Sequence, residues 1–571
     1  MPGRSCACSY MSRAESGGAV RDRRAGLMAV LSGLLLAAAF PPADLGWLAF
    51  VALVPLIRAV RGGGPRRAAR LGFVSGAVFF PALLYWLVGV MTRYGGLPAW
   101  AGAGFLFLLA AYLALYVAAF AALVAAVAGR CGARGLLVAP VVWVGLEFLR
   151  GRLLTGFPWG LVGYTQWHNT PLAQVAAAGG VHAVSFLVVL INAALALLLE
   201  RGAPPRARLL AAGACALVAA AHAAGAAVVP PPSVLPTTAI AAAPAAGAPG
   251  GPDAPPAAFA VAAIQASVAQ DRKWNRAEEG AIVAGLFDMT ARAAAEGARL
   301  VVWPESSSPL SFRVPVSRAA GDAAGGGVDR RIEPRRDYLD AVAALVRDRR
   351  LTLIAGSVDY RWDGGRLLAF NSALVVDEQG ALGPSYDKIR LVPFGEYVPL
   401  RRILFFVDRM VQGAIAEFVP GVRHEPLPTP FGRAATFVCY EAIFPGLVRD
   451  LARDAAFMVN ITNDAWFGRS AAPRQHLAMA VFRAAENRRW LVRAANTGIS
   501  AIVDPWGRVR AEAPLDARTV LHGTIEARTR RSPFARAGDV TGIACAILTA
   551  LSAAALRAAF LRGRTPHAPH L

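Results

Sequence analysis

A chain of 571 residues exceeds what one hydrophobic core holds, so two or more folded units are expected. With 56% hydrophobic and 17% charged residues, it is too apolar for an ordinary soluble protein. The net charge of +22 invites a nucleic-acid reading, but the arginines form no basic helix with interleaved aromatics, and no nucleic-acid partner is expected. Many of them flank apolar stretches instead, where they suit anionic lipid headgroups and membrane topology.

Residues 1–25 read as a cytoplasmic N-terminal tail carrying Arg13, Arg21, Arg23 and Arg24. A helix that crosses a bilayer needs roughly 20 apolar residues. Residues 26–229 offer seven candidates, at 26–40, 45–60, 71–90, 99–127, 136–149, 172–199 and 209–229, and 540–561 gives an eighth. Pro41-Pro42 separates the first two, and the fifth contains Glu147. Arginine clusters precede the first span and follow the second, fourth, sixth and eighth. The opposite loops hold only Arg93, Arg150 and Arg152. That bias predicts both termini in the cytoplasm and the region between the last two spans outside it.

Residues 230–258 are almost all Pro, Ala, Gly, Ser and Thr, the composition of a flexible linker. The region 259–527 then alternates apolar runs with helical stretches. Strands are predicted at 259–266, 300–302, 352–357, 373–376, 435–439, 457–461 and 499–503, and helices at 277–296, 336–349 and 474–487. This pattern predicts an α/β layered domain whose sheets are covered by helices. A polar insertion at 313–336 reads as a mobile surface loop.

Of the 59 basic residues, 57 are arginine and two are lysine, Lys273 and Lys388. A lysine kept in such a background supplies what arginine cannot, a compact amine able to change protonation state. Lys388 lies in Tyr386-Asp387-Lys388-Ile389-Arg390-Leu391-Val392-Pro393-Phe394-Gly395-Glu396-Tyr397. Glu305 ends Trp303-Pro304-Glu305, and Cys439 opens Cys439-Tyr440-Glu441. All three fall near strand ends, where active sites gather. Cys439 is the one cysteine of six inside 259–527, so no disulfide partner accompanies it there. Only Cys6-x-Cys8 has even a weak metal-like spacing, and neither metal nor cofactor is expected. A Glu-Lys-Cys set suits covalent catalysis. Cys439 is the nucleophile, and Glu305 accepts its proton with a pKa raised by partial burial. Lys388 steadies the thiolate and the oxyanion.

These three motifs resemble the catalytic motifs of the nitrilase (carbon–nitrogen hydrolase) superfamily. Further runs narrow the resemblance to the bacterial apolipoprotein N-acyltransferases: Asn463-Asp464-Ala465-Trp466-Phe467-Gly468, Gln475-His476-Leu477, Asn496-Thr497-Gly498-Ile499-Ser500 and, between spans, Gly156-Phe157-Pro158-Trp159. The resemblance implies a polytopic α-helical membrane domain joined to an α-β-β-α sandwich bearing a Glu305-Lys388-Cys439 triad. It implies acyl transfer in two steps, from a membrane phospholipid to Cys439 and then to the α-amine of a diacylglyceryl-cysteine on an apolipoprotein. The implied location is the bacterial inner membrane, with the catalytic domain on its outer face.

Glu396 and Glu441 are expected to hold Lys388 and nearby backbone, next to Tyr440. Trp274 resembles a family tryptophan near the substrate entrance. Phe394, Trp466, Phe467, Phe405 and Phe406 read either as apolar lids or as core, and His476 as a helix-packing residue. The rival enzyme is a membrane-tethered nitrilase-like amidase. A transporter would place more charge within its spans, where Glu147 is the one evident carboxylate.

Overall fold

The computed structural model describes residues 6–231, 258–313, 335–363, 366–397 and 418–562. Nearly all of the 230–258 linker and the 313–336 insertion lie outside the described residues, as do Phe405 and Phe406.

Among the described residues, five helical stretches are long and apolar enough to cross a membrane: Pro65–Leu84, Ala99–Arg150, Ala176–Leu198, Pro205–Val228 and Val540–Leu561. The protein is therefore a membrane protein, and six of the eight expected spans overlap these five stretches, since Ala99–Arg150 holds two of them. Ala99–Arg150 bends at Gly132 (φ +65), and the chain doubles back so that Phe120 meets Trp143 at 5.0 Å. The returning helix, Ala139–Arg150, has 12 residues. At 1.5 Å per residue it rises only about 18 Å, short of the ~30 Å hydrocarbon core. The expected second span is shorter still, a 3-10 turn Gly46–Phe50 followed by the helix Val54–Val60. Its non-helical backbone is served by buried Asn192, whose Nδ2 donates to Ala49 O (2.8 Å) while Oδ1 accepts from Leu53 N (2.8 Å). Backbone at membrane depth needs such partners because lipid offers none. No break separates the expected tail from the first span, since Cys6–Ala38 is one helix.

Small residues let two of the membrane helices touch. Gly72 and Gly76 of Pro65–Leu84 sit one turn apart. A Cβ at 72 would strike the Val117 carbonyl oxygen, and one at 76 would lie 2.7 Å from Ala114 Cα. The helix Ala99–Cys131 thus packs against bare backbone, the close approach that drives helix association in lipid.

The α/β region forms two sheets. The first has the order β11-β1-β2-β3-β4-β5, from Thr519–Glu526, Ala258–Gln265, Leu300–Val302, Thr352–Asp363, Arg366–Val376 and Leu382–Asp387. The second has the order β10-β9-β8-β7-β6, from Val509–Glu512, Ala501–Val503, Leu491–Ala495, Phe457–Thr462 and Ala434–Val438. Alternation along each strand sorts the layers. Ala262, Ile264, Val301 and Leu353 face Ile282, Leu286, Met289, Val342 and Val346 of the helices Glu279–Ala295 and Arg336–Arg349. Their neighbours Val261, Ala263, Val302 and Ile354 point the other way, into a core shared with Phe437, Phe457, Val459 and Ile461 of the second sheet. Four strands, β5, β8, β10 and β11, were not expected. β8 carries a fully buried Arg493, and β10 is a short edge with alternating exposure, so neither shows an apolar run.

The outer layer of the second sheet is the helix Ala472–Asn487, in which every residue but Arg474 is buried. One face lies on the sheet and the other on the membrane helices. Gln475 there accepts from Trp159 Nε1 (2.8 Å) and Trp86 Nε1 (3.3 Å), while its amide donates to Pro41 O (2.9 Å). Arg483 donates to Tyr164 Oη (3.1 Å), and Glu486 accepts from Val181 N (2.9 Å) where the Ala176–Leu198 helix restarts after its break at Gly179–Gly180.

Replacing Gly72 with leucine should force two backbones apart. Thermal unfolding in detergent is expected to fall by several degrees, consistent with about 1–3 kcal/mol for overpacking. An unchanged midpoint would contradict the close contact.

Candidate active site

The nucleophile candidate is placed by a sharp turn. β6 ends at Val438, and Cys439 takes φ +51 as it opens the 3-10 turn Cys439–Ile443. A non-glycine residue with that φ is strained and persists only where its surroundings hold it. Two groups do so here. Glu441 Oε2 accepts from Val438 N (2.7 Å), closing the turn, and His476 Nε2 donates to the Cys439 carbonyl (3.0 Å). His476 is itself oriented by Asp464 Oδ1 at 3.0 Å, and Arg493 Nη2 holds Asp464 Oδ2 at 2.7 Å. Sequence reasoning gave His476 a packing role; it also grips the Cys439 backbone.

Glu305 follows β2, and its loop crosses β3 at Gly356, where a Cβ would strike the Pro304 carbonyl. Oε2 accepts from Asn463 N (2.7 Å), at the end of β7 beside Cys439. Oε1 accepts from Asn371 Nδ2 (2.7 Å) and from Lys388 Nζ (3.2 Å). The Lys388 ammonium also donates to Glu396 Oε1 (3.0 Å), which Asn371 Nδ2 shares at 2.9 Å. Glu396 Oε2 accepts from Val392 N (2.8 Å). Glu441 Oε1 ties this segment to the nucleophile's turn by accepting from Tyr386 Oη (2.8 Å), Ile389 N (2.7 Å) and Arg390 N (3.0 Å). Glu305, Lys388 and Cys439 therefore converge in one buried site from segments far apart in the chain.

The electrostatics differ from expectation at Glu305. Burial does push its carboxyl upward, but Lys388, Asn371 and Lys273 together outweigh burial, and its pKa is lowered. Burial pushes the Lys388 ammonium downward, and Glu305, Glu396 and Cys439 more than reverse that, so it stays protonated. The Cys439 thiol is held well above its ordinary value by burial first and Glu305 second; Lys388 offsets only part of this. At neutral pH the site thus holds a carboxylate, an ammonium and a neutral thiol. Such a set favours proton transfer from sulfur to Glu305 during attack over a resting thiolate.

The remaining predicted residues divide into two groups. Trp274 and Phe394 are each 47% exposed. Tyr440 is half-buried, edge-on to Phe444 at 5.3 Å. Trp466 and Phe467 instead belong to the junction with the membrane helices: Trp466 meets Tyr94 and Phe467 meets Trp86, each at 4.9 Å. Sequence reasoning gave no role to Asn371, Asn463 or Lys273. Lys273 is 1% exposed, and its Nζ donates to the Glu305 carbonyl oxygen at 3.0 Å. Its signal was present all along, because the rarity that singled out Lys388 applied equally to Lys273. Among the described residues, no cluster of His, Cys, Asp and Glu could hold a metal ion.

The carbon-nitrogen hydrolase family matches residues 260–533, and the apolipoprotein N-acyltransferase N-terminal domain matches residues 32–194. The fold and site thus define a carbon–nitrogen hydrolase domain joined to a membrane domain. The apolipoprotein N-acyltransferase of Geobacter metallireducens is 40% identical over 535 residues, covering 93% of this chain and 95% of that protein. That of Chromobacterium violaceum is 33% identical over 542 residues, covering 92% and 93%. Of solved structures, Saccharomyces cerevisiae Nit3 is similar at 19% identity and a TM-score of 0.34, covering 47% of this chain and 90% of its own. The chain belongs to the apolipoprotein N-acyltransferase family.

A raised thiol pKa has a readable consequence. Alkylation of Cys439 by iodoacetamide, followed by peptide mass spectrometry, should still be rising above about pH 9, past the ordinary thiol midpoint. A plateau near neutral pH would reveal a preformed thiolate.

Proposed function

We propose that this protein transfers an acyl chain from a membrane phospholipid to the α-amine of the N-terminal diacylglyceryl-cysteine of apolipoproteins, a step of lipoprotein maturation. The observation that carries the reading is a buried Glu-Lys-Cys cluster whose nucleophile is held by a helix docked on the membrane helices. The names of the relatives point to the same acceptor.

In the first step Cys439 Sγ attacks the sn-1 ester carbonyl while Glu305 takes the thiol proton. The Lys388 ammonium steadies the oxyanion. As the C–O bond breaks, Glu305 returns the proton to the leaving alkoxide, and a lysophospholipid departs. In the second step the acceptor amine attacks the thioester, Glu305 takes a proton from nitrogen, and the C–S bond breaks. That proton passes to the thiolate, restoring the resting site. This is covalent ping-pong chemistry that needs neither metal nor cofactor. Glu396 and Glu441 act through Lys388 and the backbone; half-exposed Trp274 and Phe394 suit contact with acyl chains. The arginine bias supports an inner-membrane protein with both termini cytoplasmic and the catalytic domain on the outer face.

A membrane-tethered amidase is the rival reading. Depth favours acyl transfer, since Cys439 is buried and its supporting helix rests on Trp86 and Trp159.

Incubation with labelled phospholipid and a diacylated lipopeptide should yield an acylated amine. Free ammonia, or plain hydrolysis with no acylated amine, would favour the amidase. Cys439→Ser should abolish the trapped thioester, and an acyl adduct on another wild-type residue would overturn the assignment. Lys388→Arg keeps the charge but not the compact geometry, and turnover should fall by roughly two orders of magnitude or more, the scale of one lost oxyanion donor. Near-normal turnover would defeat that geometric argument.

A further inference from the structure

Lys273 is the second lysine of the chain, and the structure brings it to the same corner as the first. It lies on the loop after β1, beside Trp274, with its Nζ 5.6 Å from that ring. Its neighbour Arg272 turns outward to pair with Glu278, so arginine serves the surface and lysine the interior of one short loop. A single backbone carbonyl does not require a buried ammonium as its partner. Burying one is costly unless its charge is used.

The charges facing this corner come from four segments. Glu305 follows β2, Lys388 and Glu396 follow β5, and Cys439 follows β6. Asp464, after β7, is neutralised by Arg493. Asp271, on the same loop as Lys273, is exposed. Lys388 alone serves two carboxylates, Glu305 at 3.2 Å and Glu396 at 3.0 Å. With a neutral thiol, Lys273 supplies the second positive charge beside the carboxylates of Glu305 and Glu396, while the third buried carboxyl, Glu441, accepts instead from Tyr386 Oη and the backbone of Val438, Ile389 and Arg390.

We propose that Lys273 is a positioning residue of the acyl-transfer site: its ammonium fixes the Glu305 backbone and balances the carboxylate that Lys388 must share. This rests on the acyl-transfer reading above and extends it. The electrostatics agree in direction. Lys273 contributes to lowering Glu305, and burial brings its own pKa down to about 8 against the pull of Glu305 and Cys439.

The sign of the effect follows. Removing the charge raises the Glu305 pKa, so the base is ionised only at higher pH, and the Cys439 thiol loses a nearby cation. Above about pH 8, where Lys273 itself deprotonates, wild type and variant converge.

The test uses the full chain in phospholipid–detergent micelles and follows the first half-reaction alone. Labelled phospholipid is added without acceptor, the reaction is quenched in acid, and the Cys439 thioester is measured by mass spectrometry across pH. In Lys273→Met the acid limb of the acylation rate should move up by about one pH unit. On that limb the rate should fall by roughly tenfold, and at neutral pH, where Glu305 is ionised in both proteins, it should change little, as should KM for phospholipid. Lys273→Gln keeps a donor for the Glu305 carbonyl without the charge. It should show the same shifted limb, and it carries the test if Lys273→Met does not fold. An unmoved limb, or an equal fall at every pH as a purely structural role would give, overturns the proposal while leaving the Cys439 adduct intact. A wild-type adduct on another residue overturns the acyl-transfer reading itself, and this inference with it.

Discussion

Charge buried away from water is the constraint on which the site depends. Glu305, Lys388, Lys273 and Glu396 are each at least nine-tenths hidden, and ions so placed persist only when paired and hydrogen-bonded. Their partners come from across the domain: Asn371 of β4, the Asn463 backbone after β7, the Val392 backbone, and the two lysines. Each partner draws its own segment into place, so satisfying the charges also aligns β2, β4, β5 and β7 around the end of β6. The same pairing sets the protonation states. Lys388, Asn371 and Lys273 together outweigh burial at Glu305, while Lys388 offsets burial only in part at Cys439. In the proposed mechanism, proton transfer from sulfur to carboxylate is thereby left for the moment of attack.

The second structural requirement is contact with lipid-embedded helices, and one helix provides it. Adjacent residues on a helix point about 100° apart. In Ala472–Asn487 that angle lets Gln475 face Trp86 and Trp159 while His476 reaches the Cys439 carbonyl. The contacts to the Cys439 backbone and to the membrane aromatics are thus one residue apart along a buried helix. Phe467 packs edge-on against Trp86 at 4.9 Å and extends the same junction. Burial on both faces explains why this helix lacks an amphipathic stripe, and it ends where Arg488 turns left-handed after Asn487.

Legibility in the sequence followed locality. β2 and the helix Arg336–Arg349 have the predicted bounds, because an apolar run or a periodic stripe lies entirely within them. β3 and β4 extend beyond expectation, through Tyr360, Arg361 and Trp362, because a hairpin keeps pairing after it leaves the core. β8 was invisible, since the charge of Arg493 is cancelled by Asp464 from another strand's end, which no window contains. Two expected spans, 45–60 and 136–149, are not single long helices for a related reason: an apolar segment such as Ala139–Arg150 or Val54–Val60 looks alike in sequence whether it forms one long helix or a short one beside a turn.

The sequence alone determined the chemistry on offer: a lone cysteine in the globular part, a glutamate after Trp303-Pro304, and two lysines among 57 arginines. Residue type fixes what a group can donate, accept or attack, and rarity is visible without coordinates. Tertiary structure alone decided the working state of each group. Expected burial would have raised the Glu305 pKa; neighbours from distant segments lowered it instead. Only the fold revealed that Lys273 shares the site and that Trp466 and Phe467 meet membrane helices. The reason is physical: desolvation and Coulomb energy depend on distances through space, and those exist only once the chain has folded.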